Sequence, residues 1–338
     1  MNGQQKSVKK LWESFLFFIS NDDFKSAEEC WSESARRFVK YDFSKLKNFF
    51  KQWQSISVLT IKQWNNVGVI VIKLSNDEGS QALKRYGFMY EKNRVFLIGV
   101  SSALRERLTR YWEKRESECF IYRFKKSDVI KEQDVLKQDE FCKGACRFLE
   151  IKLDRKVEYF KCSSDEEVRK ISGVKFYDHS AQATTTGVTD PLSVSIISTK
   201  TFDPHEVTHA ISTWLDGRPP DILREGIADA FYKPEDWETC VMTEGSLSIC
   251  KLLRPWSISE FTCNRIDSSL FVKFLLDRFD LNLFKRFYSE AQEENFERIL
   301  GRIYNRKASI VEAEWREWVK DFLQRNESQN KWKFSQDD

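Results

Sequence analysis

Three histidines occur in 338 residues, and two of them stand four apart in TFDPHEVTHAIS, residues 201–212. A four-residue step puts side chains on one helical face a turn apart, so the rings of His205 and His209 can converge. Asp203 followed by Pro204 reads as a helix start: an N-cap oxygen, then a residue whose fixed φ suits the first turn. Two neutral imidazole nitrogens supply half of a tetrahedral zinc site. Glu206, beside the first of them, is placed to hold a metal-activated water and take its proton. Asp203 and Glu206 also have the spacing of a capping box, which would give Glu206 a structural task. In a chain so poor in histidine, the pattern H-E-x-x-H favours the metal.

Such a site needs a third ligand, and the next segment offers one. The turn DGRPPD carries Gly217 as a helix stop and Pro219–Pro220 as a bar to continuation. ILREGIADAF then predicts a second helix starting at Asp221. Glu225 lies 16 residues beyond His209, and Asp229 follows one turn later on the same face. A ligand carboxylate, with a second carboxylate accepting a hydrogen bond from a ligand imidazole, is a recurrent arrangement around zinc. The alternative is a solvated acidic face, which the near-apolar run IADAF disfavours.

HEVTH followed by EGIAD resembles the gluzincin zinc metallopeptidases, the thermolysin-like group, and within it the bacterial peptidase-MA-like branch. The resemblance extends over about residues 119–325 and does not cover the first hundred. It implies one zinc per chain on His205, His209 and Glu225, Glu206 as general base, and Asp229 orienting a ligand histidine. The implied fold is α+β and zincin-like: a mixed sheet, an active-site helix and a C-terminal helical subdomain. The implied activity is that of a zinc metalloendopeptidase-like hydrolase. Many relatives place an oxyanion-stabilising tyrosine where an ungapped comparison with SSLFVKFLL puts Arg265 here, and a guanidinium can do the same work. Tyr232, one turn beyond Asp229, is a second candidate for that role, and Tyr304 a third.

The charge balance is nearly even, 55 basic against 52 acidic residues. With no basic stripe, nothing points to nucleic acid or an anionic membrane as a partner; a protein or peptide substrate is expected. No apolar run approaches the ~20 residues of a membrane helix. The start, MNGQQKSVKKLWESFLFFIS, reads as an amphipathic helix, because Glu13 interrupts the apolar block and no small-residue cleavage site follows. Eight cysteines form no C-x-x-C pair, and Cys142 and Cys146, four apart on a predicted helix, are badly spaced to bridge each other. A reduced, cytoplasmic protein is therefore expected, or an exported one if a leader has been removed.

In chain order, KSVKKLWESFLFFI, DDFKSAEECWSESARRFV and FSKLKNFFKQW have helical spacing. SISVLTIKQW, NVGVIVIKL, KRYGFMY and RVFLIGV then switch to strand patterning, with turns at Asn65–Asn66 and Glu91–Asn93. Helices followed by an antiparallel sheet resemble the cone of the ketosteroid-isomerase and nuclear-transport-factor group. That resemblance implies an accessory domain over 1–100 with room for a small ligand or a dimer contact. Residues 101–118 read as an exposed connecting helix, 119–325 as the peptidase domain, and 326–338 as a polar tail. His179 reads as a surface loop residue. Two further functions stay open: a pseudopeptidase that binds a peptide or partner without cutting it, and a protease governed by a ligand of the N-terminal domain.

Overall fold

The computed structural model describes all residues except 1–2, 33–35, 37–42, 65, 78, 92–93, 99, 173–186, 191–193, 216, 218, 233–247, 255–260 and 328–338. His179, the turn residues Asn65 and Asn93, and most of the polar tail lie outside the described residues. The chain is α+β. Its helices are α1 (Gly3–Ser20), α2 (Phe24–Glu29), α3 (Phe43–Lys51), α4 (Val100–Thr109), α5 (Glu132–Phe148), α6 (Asp165–Ser172), α7 (Pro204–Ser212), α8 (Asp221–Ala230), α9 (Ile249–Leu252), α10 (Phe261–Arg278), α11 (Leu281–Glu290), α12 (Phe296–Tyr304) and α13 (Ala308–Glu327). A four-stranded antiparallel meander runs β1 (Ser55–Trp64), β2 (Val67–Ser75), β3 (Gln81–Glu91), β4 (Arg94–Ile98). A five-stranded sheet has β5 (Glu113–Glu116), β6 (Phe120–Phe124), β7 (Val157–Lys161), β8 (Gly187–Asp190) and β9 (Ser195–Ser198) in the order β5-β6-β7-β9-β8. Within it, β7 and β9 run parallel, while β5–β6 and β8–β9 are antiparallel.

Packing divides the chain into two units, one of residues 1–116, 121–129 and 157–200, the other of 117–120, 130–156 and 201–338. The first unit thus holds both sheets, and its residues extend well past the boundary near 100 read from the sequence. Along β2, Ile70, Ile72 and Leu74 alternate onto one face and join Val8, Trp12, Phe15 and Ile19, the buried stripe of α1. That match of period 2 to period 3.6 is what the sequence patterning predicts. Val67 and Val69 occupy the opposite face with Ile98 and Ala103 of α4.

Two local expectations are corrected here. The helix expected over DDFKSAEECWSESARRFV is interrupted, with α2 ending at Glu29 and Trp31 forming a bridge with Leu97 on β4, while 33–35 and 37–39 of that segment lie outside the described residues. The exposed connecting helix over 101–118 is instead α4, which stops at Thr109, and a strand, β5, which pairs with β6. Nor is α4 exposed: Ala103, Arg105 and Thr109 are buried. Arg105 is tolerated inside because its Nη2 lies 2.7 Å from Asp190 Oδ2, with its guanidinium 5.1 Å from the Phe160 ring centre.

The second unit is built around α10, which is apolar on most sides and packs against α8 and α13. Phe271 of α10 meets Trp315 edge-on at 5.1 Å. α8 in turn packs on α7, and α7 on α5. The contact of α8 with α10 leaves no room at Gly226, where a Cβ would stand 2.5 Å from the Ser268 carbonyl oxygen and 2.7 Å from Val272 Cγ2. Gly217, the predicted helix stop, has φ +95°, and a Cβ there would fall 2.6 Å from Ser289 Cα.

Gly226→Ala is expected to force α8 away from α10 and lower stability by about 1–3 kcal/mol, the usual cost of overpacking. Urea unfolding of the variant checks this; an unchanged midpoint would show that the two helices can part freely.

Candidate metal centre

α7 begins as the sequence reading has it. Asp203 caps the helix by accepting from the Glu206 N–H at 3.4 Å, and Pro204 occupies the first turn. The Asp203 N–H, the donor a capping box would send back to Glu206, goes instead to Gln138 Oε1 of α5 at 2.8 Å. Only half of a capping box is therefore required of this pair. Phe202 sets its ring edge-on to Phe141 of α5, which fixes the entry to the helix from a second direction.

The four-residue step brings the two imidazoles together, ring centres 4.6 Å apart and planes at 88°. Their Nε2 atoms are 3.1 Å apart. Glu225, from the first half of α8, brings Oε2 to 3.5 Å from His205 Nε2 and 3.4 Å from His209 Nε2. Three donor atoms from two helices thus stand in one small triangle, the group among the described residues with metal-ligand geometry. Ligand bonds of about 2.0–2.2 Å at tetrahedral angles place donor atoms about 3.3–3.6 Å apart. The two His–Glu sides, 3.4 and 3.5 Å, fit that spacing, and the His–His side, at 3.1 Å, is about 0.2 Å short of it.

Asp229 stands beside His205. Its Oδ1 is 2.7 Å from His205 Nδ1, a contact in which the imidazole N–H donates to the carboxylate. Its Oδ2 is 2.7 Å from Arg265 Nε on α10. The Arg265 N–H does not point along that line, so the contact is an ion pair without a directed hydrogen bond. Arg265, suggested by the resemblance as an oxyanion partner, is thus tied by its Nε to the residue behind His205. Tyr232 follows the end of α8, half-buried, with its ring edge-on to Phe202 at 6.4 Å. Tyr304 is buried against the rings of Phe279 and Phe287, in the aromatic core.

Charge in this cluster is strongly coupled. Burial works against an imidazolium at His205, but Asp229 and Glu225 outweigh it and push its pKa well above the ordinary value. Burial likewise resists ionisation of Glu225, yet His209, His205 and Arg224 hold its carboxyl well below the usual range. Both shifts favour positive charge among these three side chains.

Two contributors had escaped sequence reasoning. Arg224 brings Nη2 to 3.2 Å from Glu225 Oε1, leaving Oε2 for the imidazoles. Adjacent residues on a helix do not share a face, so spacing gave no hint; its 2.7 Å pairing with Asp221 at i−3 was the only legible trace. Gln138 lies 65 residues before its partner, and no local pattern marks it.

Metal analysis of the purified protein is expected to give close to one zinc per chain, falling sharply in His205→Ala and in His209→Ala; full occupancy in both would dismiss the site. Asp229→Asn should still bind zinc, about 10–100-fold more weakly, measured by chelator competition. Either an unchanged affinity or no binding at all would contradict its supporting role. No protein-family model matches the chain, and no curated protein matches it in sequence.

Proposed function

We propose that this protein is a zinc-dependent peptidase of the gluzincin type. The observation that carries the proposal is the triangle of His205 Nε2, His209 Nε2 and Glu225 Oε2, with sides of 3.1–3.5 Å. Zinc held by these atoms would supply Lewis acidity, polarising a carbonyl oxygen and lowering the pKa of water.

The remaining steps belong to the chain's own residues. Glu206 is buried on α7, between the two ligand histidines in sequence and one residue from His205. As a carboxylate it takes a proton from the attacking water as oxygen bonds to the carbonyl carbon. It then gives that proton to the amide nitrogen as the C–N bond breaks. Asp229 keeps His205 in the tautomer whose Nε2 faces the triangle. Arg224 holds the far oxygen of Glu225, which favours a single-oxygen contact from that residue. Candidates for steadying the developing oxyanion are Tyr232 and Arg265, the latter through the guanidinium nitrogens not facing Asp229.

Glu206→Gln keeps shape and hydrogen bonding but removes the base. The variant should fold and retain zinc, yet lose activity by at least about 10²–10⁴-fold. Proteins trapped by it supply substrates, and terminal labelling of those substrates with wild-type enzyme reads the cleavage. Cutting by the variant at the wild-type rate would show that Glu206 only supports the helix.

A further inference from the structure

The second unit holds another cluster of reactive side chains, and it is made of sulfur. Cys142 on α5 is fully buried, and its thiol is hydrogen-bonded to those of Cys119 and Cys146. Cys146, one turn further along the helix, is partly exposed. Cys119 belongs to the short segment before β6, and that segment is pinned to α5. Asp139 accepts from Ser117 Oγ at 2.9 Å, from the Glu118 N–H at 3.1 Å and from the Cys119 N–H at 2.9 Å. Lys143 adds an ion pair to Glu118 at 2.8 Å. All three thiols are free.

The three differ in what they can do. The Cys142 hydrogen bond favours the Cys146 thiolate, against the opposing effect of burial, and lowers the Cys146 pKa; the same pair of contacts, with burial, pushes Cys142 up. Cys146 is therefore the nucleophile and the one a reagent can reach. A lasting bridge from Cys142 to Cys146 is prevented by the helix, since i and i+4 Cβ atoms stand about 5–6 Å apart where a disulfide needs about 3.5–4.5 Å. Cys119 is not bound by that spacing. Its backbone is held beside α5 by Asp139, one turn before Cys142, and its thiol meets that of Cys142.

We infer that Cys146, Cys142 and Cys119 form a thiol relay that accepts oxidation from a small-molecule disulfide and stores it as a Cys119–Cys142 bond. The Cys146 thiolate attacks one sulfur of R–S–S–R, forming a mixed disulfide and releasing one thiolate. Cys142 then attacks Cys146 Sγ, expelling the second R–S⁻ and giving up its proton to it. The resulting bridge is strained across one helical turn, and strained disulfides are readily attacked. Cys119 attacks Cys142 Sγ, its proton passes through solvent to the first R–S⁻, and Cys146 returns as the thiolate. Two protein thiols are oxidised and one R–S–S–R becomes two R–SH. Gln138, one turn before Cys142, holds the cap of α7, so the bond would lock the helix that supports the candidate metal centre. The relay itself does not depend on the metal reading.

The test uses the reduced full-length protein with oxidised glutathione, followed by alkylation of the unfolded chain and tryptic mapping. Trypsin separates the three cysteines onto residues 116–123, 138–143 and 144–147. The expected product links 116–123 to 138–143, leaves six of the eight thiols titratable, reverts with dithiothreitol, and melts several degrees higher than the reduced form. Cys146→Ser should form the same link at least roughly tenfold more slowly, having lost the exposed thiolate. Cys142→Ala should stop at a glutathione adduct on Cys146. No internal link, a link from 138–143 to 144–147, or an undiminished rate in Cys146→Ser would each overturn the relay. The wild-type map decides the matter even if Cys142→Ala fails to fold.

Discussion

Glu206, Glu225 and Asp229 are carboxylates buried on two adjoining helices, and removing a carboxylate from water costs several kcal/mol unless positive charge meets it. The second unit meets part of this cost from within. Asp229 divides its oxygens between His205 and Arg265, and Glu225 divides its own between the imidazoles and Arg224. Under the proposed function a dication would sit where His205 Nε2, His209 Nε2 and Glu225 Oε2 converge, adding positive charge to this carboxylate-rich region.

The closeness of those helices is itself a packing result. α8 lies against α10 at a position where only glycine fits, and the turn before it requires a residue that accepts positive φ beside Ser289. The two glycines and the two histidines act at different levels, one pair setting where the backbones run and the other what they carry. Gln138 and Phe141 of α5 do the same for the start of α7.

What could be read in advance follows from the range of each interaction. The imidazole pair, the N-cap and the helix stop are local, and the spacing of His205, His209, Asp203 and Gly217 shows them directly. Glu225 and Asp229 were legible because acids inside an apolar helix face call for partners. Arg105 misled: a charged residue in SSALRERLTR reads as solvated, and the Asp190 that permits its burial lies 85 residues on. Trp31 likewise pairs with Leu97 just beyond the end of α2, which no helical pattern can reveal. The thiol cluster was missed for a related reason, since Cys142 and Cys146 were judged against each other and the third member sits before a strand.

The interleaved order of the two units has a kinetic side. Residues 117–120 and 130–156 belong to the second unit, yet they leave the ribosome before the first unit's sheet is completed by β8 and β9. At about 5–20 residues per second, α5 waits several seconds for the helix it caps. During that interval Gln138 and Phe141 of α5 lack their native partners at the start of α7. Neither unit can therefore mature as an early, self-contained product of synthesis.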